Sequence, residues 1–582
     1  MTAPLRIANC SGFLGDRFDA AEEMIEGGPV DVLTGDYLAE LTMAILLRQR
    51  MRDPSAGYAR TFLEQMEVVL GRCVDRGVKV VAKAGGLNPR GLAAAVEELS
   101  VRLGIAVRVA SVTGDDLTKE LAMGDADLVH LDTGEALDDT DLQLVTANAY
   151  LGGWGITEAL RRGADVVVTG RVSDASLVTG PAAWHHGWEI DDWDAIAGAV
   201  VAGHVIECGA QATGGNYSFF SEVPNLTNPG FPIAEVAADG SSVITKHEGT
   251  GGLVSIGTVT AQLLYEIGPA GYLNPDVVAW FDTIRLVDDG VDRVRIEGVR
   301  GSPPPATTKV SAVALAGYRN EMTVVLSGLD IDAKAEAVLG SLWSKLGGRE
   351  RFGGVDVQLI RTDAADPQTI EQAMAYLKIT VDDLSAELVG RRFSNAVVEL
   401  ALANVPGFTV TTPPGKERPL IRYWPSSTLQ RSAVVEIGGE ESLIDALGSY
   451  RDGTSTRPPT PALDAVVPAG PQIEVPLGRL VGARSGDKGG HANLGVWART
   501  DEVYAWLEVF MTATRLEELL PDTAGRTIER VVLPNLRAIN FLIRGFLGEG
   551  VASSTRWDPQ AKTLGEYLRA KTVLVPEALV AV

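Results

Sequence analysis

Residues 165–176 read Asp-Val-Val-Val-Thr-Gly-Arg-Val-Ser-Asp-Ala-Ser, a short β-branched run that leads into small and polar residues. The run is typical of a buried strand, and the segment Gly170–Ser176 is typical of a junction between a strand and a helix. Free backbone N–H groups at such a junction favour an anion. One hypothesis therefore assigns Arg171 to carboxylate or phosphate recognition, with Ser173 beside it and Asp174 as a candidate catalytic group. The alternative is that Asp174 or Ser173 caps the next helix while Arg171 pairs with a carboxylate.

The same pattern recurs through the first 180 residues, where apolar runs alternate with amphipathic stretches of helical period. This alternation predicts an α/β fold, with a Rossmann-like parallel sheet covered by helices. The predicted strands are Leu5–Asn9, Val30–Thr34, Lys79–Lys83, Ala106–Ala110, Asp127–Leu131 and Asp165–Thr169, with helices Tyr58–Arg76 and Pro89–Leu103 among them. In such sheets ligands bind where the strands end, and these strands end in polar or glycine-rich segments.

Two common nucleotide-binding signatures are absent from the sequence. No G-x-G-x-x-G follows the first strand, and no G-x-x-x-x-G-K-[ST] occurs anywhere. A nicotinamide dehydrogenase and a P-loop NTPase are therefore disfavoured. The formal net charge of −25 argues against a nucleic-acid partner, because phosphate binding needs concentrated Lys and Arg.

The composition describes a folded, loop-rich protein of several domains. Its 582 residues exceed one ordinary core, and they include 64 Gly and 29 Pro. No run of about 18 apolar residues suggests a membrane span, and the N-terminus shows no signal peptide. Cys10, Cys73 and Cys208 lie far apart and the six His are scattered, so we expect a reducing, cytoplasmic setting and no metal ion.

The stretch from Gly203 to Asn216 is the richest in reactive groups. Its candidate site residues are His204, Glu207, Cys208, Gln211, Thr213, Gly214, Gly215 and Asn216. Glu207 is the predicted proton-transfer group and His204 its acid–base partner. The glutamine and the threonine would orient a substrate, and the glycine pair would present backbone donors. The alternative is that His204 and Cys208 pack one turn apart in a helix that the glycine pair ends.

The remaining chain divides by composition. Residues 181–448 predict a mixed α/β region that completes the large portion begun by residues 1–180, and a helix is expected at Asp382–Ala403. Residues 449–472 are rich in Pro, Ser, Thr and Gly and predict a linker. Residues 473–582 alternate strand and helix signals, which predicts a separate small α+β domain.

A glycine-rich segment of the last domain, residues 483–493, is predicted to form a loop between two strands. Its candidate ligand-binding residues are Arg484, Asp487, Lys488, His491 and Asn493. An acidic protein that binds an anionic ligand must set cations against it. We therefore expect this loop to close over the same cleft as Asp174 and Glu207. The alternative is a solvated turn.

Three stretches together resemble the acyclic terpene utilisation (AtuA-like) family. They are Gly170–Ser176, Glu207–Asn216 and Arg484–Gly490. The resemblance covers nearly the whole chain and implies a large α/β portion joined to a small ferredoxin-like domain. It also implies a setting in the catabolism of branched acyl-CoA compounds, such as citronellol and geraniol breakdown, and it assigns no catalytic residue.

This setting and the residue chemistry together favour a hydratase or lyase that acts on a CoA thioester. A carboxylate would move a proton next to the carbonyl while amide or glycine N–H groups polarise the thioester oxygen. One alternative is a non-catalytic acyl-CoA-binding or assembly subunit for a neighbouring acyl-CoA carboxylase. Another is a thioesterase or acyl transferase that uses Cys208. We expect an acyl-CoA as the partner, CoA only as part of the substrate rather than as a cofactor, and a homo-oligomer.

Overall fold

The computed structural model describes residues 3–140, 142–445 and 466–580. The helices in these ranges are α1 (Ala20–Glu26), α2 (Glu40–Arg52), α3 (Arg60–Arg76), α4 (Pro89–Leu103), α5 (Thr118–Met123), α6 (Trp154–Arg161), α7 (Ser176–His186), α8 (Trp193–Ile206), α9 (Ile256–Leu263), α10 (Ile331–Leu346), α11 (Ala386–Val389), α12 (Arg391–Val398), α13 (Asp501–Phe510), α14 (Ala513–Leu519) and α15 (Leu564–Arg569). The strands are β1 (Leu5–Asn9), β2 (Val32–Asp36), β3 (Lys79–Lys83), β4 (Val109–Thr113), β5 (Val129–His130), β6 (Leu144–Ala149), β7 (Val166–Thr169), β8 (Pro232–Val236), β9 (Ser242–Lys246), β10 (Gly271–Leu273), β11 (Val278–Trp280), β12 (Arg285–Asp288), β13 (Val294–Glu297), β14 (Arg300–Ser302), β15 (Thr307–Ser327), β16 (Gly354–Arg361), β17 (Met374–Asp383), β18 (Phe408–Val410), β19 (Arg418–Leu429), β20 (Ala433–Ile437), β21 (Glu440–Ile444), β22 (Gln472–Pro476), β23 (Val481–Lys488), β24 (His491–Ala498), β25 (Ile528–Leu533), β26 (Ala538–Ile543) and β27 (Thr572–Pro576).

Five parallel strands form the centre of the largest sheet, in the order β1-β2-β3-β7-β4. Antiparallel strands extend it on both sides, with β8, β9, β13 and β12 beyond β1, and β20 and β21 beyond β4. Successive residues of a strand face opposite sides of the sheet. Val167 accordingly packs with α6, α7 and α8, whereas Val166 and Val168 pack with α3 and α4. The predicted α/β fold class is confirmed.

Three details of the predicted sheet are wrong. The strand predicted at Ala106–Ala110 corresponds to β4, which runs three residues later, from Val109 to Thr113. The segment Asp127–Leu131 does not join the parallel sheet, because β5 pairs antiparallel with β19 instead. Strand β2 runs two residues later than predicted, because its register places Val32 opposite Ile7 and opposite Lys79. The shift makes Asp36 the last residue of β2, at the edge where ligands bind in such sheets.

An antiparallel sheet follows, in the order β16-β17-β15-β19-β5, and β6 and β18 also pair with the 21-residue strand β15. Strands from both sides of residue 180 therefore share this sheet and the first one, and residue 180 itself lies inside α7. The prediction of one helix at Asp382–Ala403 is wrong. Strand β17 continues to Asp383, and Gly390, with a ψ angle of −137°, separates α11 from α12.

The C-terminal region contains a four-stranded antiparallel sheet, β23-β24-β26-β25, and a pair of strands, β22 and β27. Of the predicted linker, residues 449–465 lie outside the described residues, and β22 begins at its last residue, Gln472. Trp497, Leu533 and Ala538 belong to the same hydrophobic cluster as α8 and α9, so this region packs tightly against the rest of the chain. No helix among the described residues is both long enough and apolar enough to cross a membrane.

The loop predicted at residues 483–493 is replaced by a β-hairpin. Strand β23 continues to Lys488, which pairs with His491 at the start of β24. Only Gly489 and Gly490 form the turn. Polar and glycine-rich composition is typical of loops, but here it belongs to strands whose faces are buried against the large portion.

Candidate active site

A cavity of about 840 Å³ lies where the ends of the parallel strands, the second sheet and the C-terminal region meet. This volume is within the range of small-molecule sites. The acidic and basic residues in its wall are Asp16, Asp36, Arg171, Asp174, Glu207, Glu266, Lys309, Asp487, Lys488 and Lys562. Apolar and aromatic side chains, including Phe13, Leu38 and Tyr272, lie between them. The cavity thus combines apolar surface with charges of both signs.

Residues from all three predicted stretches line this cavity. They are Arg171, Ser173, Asp174, Glu207, Cys208, Gln211, Gly215, Asn216, Asp487 and Lys488. The remaining candidates, which are His204, Thr213, Gly214, Arg484, His491 and Asn493, do not line it. The structure therefore brings the stretches together, while the role of each residue stays a prediction.

Asp174 is held by a buried lysine that ends strand β3. Lys83 is fully buried, and its Nζ lies 2.7 Å from Oδ2 of Asp36 and bonds to Oδ1 of Asp174. Burial disfavours the ammonium, but the two carboxylates outweigh it and raise the pKa of Lys83. The charges at the ends of β2 and β3 and in the segment after β7 are therefore paired with one another.

Arg171 is also fixed by neighbouring groups. Its guanidinium donates to the carbonyl oxygen of Leu38 and to the hydroxyl of Tyr150, and it lies 4.4 Å from the Tyr150 ring centroid. The hydroxyl of Ser173 bonds to that of Ser176 at 2.7 Å. Helix α7 is preceded by Ala175 and no side chain caps it, so the predicted cap by Asp174 or Ser173 is wrong.

Glu207 follows directly on the last residue of α8. Its side chain is 7 % exposed, and Oε1 lies 3.4 Å from Nδ1 of His204. The first loop of the chain approaches closely here, since a Cβ atom on Gly12 would lie 2.8 Å from the carbonyl carbon of Cys208. Burial raises the pKa of Glu207 to about 7, His204 opposes the shift, and the charges of Asp174 and Glu266 add to it. Glu207 is thus held closer to its neutral form than a solvated glutamate is.

Cys208 is not one helical turn below His204 in a continuous helix, because α8 ends at Ile206. Burial, together with the charges of Glu207 and Glu266, raises the pKa of its thiol well above the usual range. Since the thiolate is the nucleophilic form, this setting disfavours covalent catalysis by Cys208.

The donors that follow Cys208 are mostly used within their own turn. The hydroxyl of Thr213 donates to the carbonyl oxygen of Gly230 at 2.7 Å. The N–H of Gly215 donates to the carbonyl oxygen of Ala210 at 2.9 Å. The N–H of Gly214 donates to the carbonyl oxygen of Gln211 at 3.3 Å. The backbone N–H groups of the glycine pair are therefore bonded within the turn, and not directed at a ligand as expected. Gln211 differs, because its side chain accepts a hydrogen bond from Arg484. A guanidinium only donates, so the oxygen of Gln211 faces it and the amide nitrogen is left to donate to a ligand.

The candidate residues of the C-terminal region lie in the cavity wall or behind it. Lys488 donates from Nζ to the carbonyl oxygen of Glu266 at 2.8 Å, and Asn493 accepts the N–H of Glu266 at 2.7 Å. Arg484 is buried, with its guanidinium carbon 4.4 Å from the Tyr265 ring centroid. His491 lies outside the cavity wall and contacts Oδ1 of Asp132 at 2.8 Å.

Comparison with known families identifies both parts of the chain. Residues 5–437 match the acyclic terpene utilisation family protein AtuA, and residues 475–574 match the AtuA ferredoxin-like domain. The chain belongs to the AtuA family. No curated protein and no solved structure matches it. The predicted resemblance is confirmed, and the family sets the protein in acyclic terpene utilisation.

Several residues of this AtuA cavity were not predicted. Lys83 and Asp36 could have been predicted, since each is a charged residue at the end of an apolar strand. Glu266 and Lys562 carried none, because only the docking of the ferredoxin-like domain brings them to the wall. Among the described residues, no three His, Cys, Asp or Glu side chains converge as metal ligands, and the expectation of no metal stays a prediction.

Proposed function

We propose that this AtuA family protein is a hydratase or lyase that acts on the CoA thioester of a branched or acyclic terpenoid acid. The observation that carries the proposal is the setting of Glu207. This carboxyl is 7 % exposed, lies in the wall of a cavity of about 840 Å³, and its Oε2 has no hydrogen-bond partner among the described residues. With a pKa of about 7, it can give or take a proton at neutral pH.

Hydration of an α,β-unsaturated thioester needs a proton at the α-carbon. The oxygen of water bonds to the β-carbon and gives up one proton to a base or to solvent, the π electrons of the double bond move towards the α-carbon and the thioester oxygen, and protonated Glu207 supplies the α-proton. In the reverse direction the carboxylate of Glu207 removes that proton as water leaves. The side-chain amides of Gln211 and Asn216, both in the wall, would donate to the thioester oxygen while it carries charge.

The cations of the wall suit the rest of a CoA ester. Lys309, Lys488 and Lys562 lie in the wall of a protein whose formal net charge is −25. Ammonium groups that bind phosphate form charge-assisted hydrogen bonds. Phe13, Leu131 and Leu273 line the same cavity and give an acyl chain an apolar surface.

The test is incubation of the purified protein with a panel of branched unsaturated and 3-hydroxyacyl-CoA thioesters, followed by mass spectrometry. We expect gain or loss of one water. Glu207→Gln should lower turnover by a factor on the order of 10² to 10⁴ and leave thioester binding nearly intact. Glu189→Gln, which changes an exposed carboxylate between α7 and α8, is the matched control and should be without effect.

Other outcomes identify the other functions. Binding of the thioesters without any mass change would contradict the proposal and indicate a non-catalytic binding or assembly subunit. Release of free CoA would indicate a thioesterase. In that case Cys208→Ala should abolish the release, which the raised pKa of its thiol argues against.

A further inference from the structure

The backbone of residues 266–268, after α9, is bound by side chains of the ferredoxin-like domain. The N–H of Glu266 donates to Oδ1 of Asn493 at 2.7 Å, and its carbonyl oxygen accepts from Nζ of Lys488 at 2.8 Å. Nδ2 of Asn540 donates to the carbonyl oxygens of Ile267 and Gly268 at 3.2 and 2.9 Å. Both backbone polar groups of Glu266 are therefore bound by side chains more than 200 residues away in sequence.

Two glycines of the ferredoxin-like domain make room for this segment. A Cβ atom on Gly486 in β23 would collide with the ring of Tyr265, and one on Gly495 in β24 would lie 2.5 Å from Cβ of Leu264. The Tyr265 ring is also flanked by Arg484 and Lys562, each 4.4 Å from its centroid. The hairpin is thus shaped to receive the segment, which explains why glycines interrupt two otherwise regular strands.

Glu266 adopts a backbone conformation that glycine would adopt more easily. Its φ angle is +57°, in the left-handed region. A non-glycine residue stays there only where its surroundings impose the conformation, and such residues concentrate at functional sites. Here Asn493 and Lys488 impose it. A glycine would avoid the strain, but this position carries a glutamate that is half-buried in the cavity wall.

The carboxylate of Glu266 lies in the electrostatic neighbourhood of Glu207. After burial, its charge is among the causes that raise the pKa of Glu207 and of Cys208. Asp174, the other carboxylate that acts on Glu207, is ion-paired with buried Lys83. No Lys or Arg within the described ranges forms an ion pair with Glu266.

We infer that Glu266 is a second acid–base carboxylate of this active site, presented to the cavity by the ferredoxin-like domain. The inference rests on the proposed function, in which water adds across a carbon–carbon double bond. The carboxylate of Glu266 takes one proton from the water as its oxygen bonds to the β-carbon. Protonated Glu207 gives its proton to the α-carbon. The step ends with Glu266 protonated and Glu207 ionised, and proton exchange with solvent restores both.

The test is Glu266→Gln, which removes the charge and keeps the backbone bonded by Asn493 and Lys488. We expect hydration turnover to fall by a factor on the order of 10² to 10⁴, while the dissociation constant of a saturated acyl-CoA changes by less than about threefold. Asp330→Asn is the matched control, because Asp330 also has a left-handed backbone, with φ of +58°, but does not line the cavity.

The pH dependence of kcat/KM distinguishes the two roles of Glu266, because a purely structural role would not shift it. The titratable groups that face Glu207 are His204, Cys208, Asp174, Tyr272 and Glu266. Loss of the Glu266 charge makes ionisation of Glu207 easier. The fall of kcat/KM at high pH, as protonated Glu207 is lost, should therefore move to lower pH in the residual activity of Glu266→Gln.

Asn493→Ala tests the positioning of Glu266. It should lower kcat with little change in KM, and it should add almost no further loss to Glu266→Gln, because both changes act on one group. Should Asn493→Ala fail to fold, Glu266→Gln alone decides. Full turnover by Glu266→Gln beside an inactive Glu207→Gln would overturn this inference and leave the proposed function standing. Absence of hydration by the wild-type protein would overturn both.

Discussion

Two walls of the cavity carry carboxylates in opposite electrostatic settings. At the ends of the parallel strands, Asp36 and Asp174 share the buried ammonium of Lys83. Elsewhere in the cavity lining, Glu207 and Glu266 form no ion pair with any Lys or Arg of the described chain, and the basic side chain near Glu207 is His204, whose Nδ1 lies 3.4 Å from Oε1. Both walls contain two carboxyl groups, but only those of the first wall are paired with an ammonium group.

The difference separates two uses of a buried carboxylate. A carboxylate paired with an ammonium is fixed in place, because losing either partner would leave a bare charge in a poor dielectric, and the pairing offsets part of the cost of burial, which still raises the pKa of Asp36 to about 6. A carboxyl without such a partner is driven towards its neutral form, and the pKa of Glu207 accordingly rises to about 7. We therefore assign structure to the first wall and proton transfer to the second.

The largest effect should come from removing the cation of the paired wall. Lys83→Met would leave Asp36 and Asp174 without their shared ammonium, and we expect a loss of about 3 to 5 kcal/mol in the free energy of unfolding. Lys79→Met is the control on the same strand. Lys79 pairs with Asp165 at 2.8 Å near the surface and should be worth at most about 1 kcal/mol.

Denaturant titration of both variants, followed by circular dichroism, measures the difference. Adding Asp36→Asn to Lys83→Met should recover part of the loss, because it removes one of the uncompensated charges. Equal midpoints for the two lysine variants would show that the paired wall does not stabilise the fold.

The unpaired wall predicts a smaller effect, on the pH dependence of stability. The pKa of Glu207 rises from its usual 4.5 to about 7, so between these values the folded protein holds a proton that the unfolded chain has released. The contribution of Glu207 is therefore full below about pH 4.5, falls as the pH rises towards about 7, and is constant above. Glu207→Gln removes this fall.

The difference in unfolding free energy between wild type and Glu207→Gln should accordingly change by on the order of 1 to 3 kcal/mol between pH 5 and pH 8. Asp115 and Asp276, whose pKa values burial raises to about 6, give falls of the same sign in both proteins, and these cancel in the difference. A difference that stays flat over this range would mean that Glu207 is ionised throughout.

The smallest effect concerns Cys208, which lies on the unpaired wall but should not react. Burial and the neighbouring glutamates hold its thiol protonated. Cys208→Ala should change hydration turnover by less than about threefold, and iodoacetamide should modify Cys208 slowly at pH 7. Rapid, activity-destroying alkylation at this residue would overturn the assignment and favour covalent catalysis.

The sheet and one member of each wall could be predicted from the sequence because their signals are local. Val166–Thr169 is apolar and β-branched, and the polar residues after it include Asp174. Glu207 stands among other reactive groups within a few residues. In both cases neighbouring residues in sequence are neighbours in space.

The rest of the site depends on contacts between distant residues. Glu266 looks like an ordinary surface glutamate until Asn493, 227 residues later, binds its N–H. The strand that contains Arg484 looks like a loop, because its glycines are explained only by the rings that pack against them, Trp497 against Gly482 and Tyr265 against Gly486. Lys83 is intermediate, since a lysine that ends an apolar strand is visible in the sequence but its pairing with Asp36 and Asp174 is not.

The hydrogen bonds that Asn493 and Lys488 form with the backbone of Glu266 also determine how the hydration rate should depend on protein concentration. Because the hairpin that shapes the cavity is covalently attached, its local concentration is set by the connecting chain, and activity per molecule should not change on dilution. The two portions prepared as separate polypeptides would have to find each other first. Their activity would then rise with the product of the two concentrations and reach a plateau only above their dissociation constant.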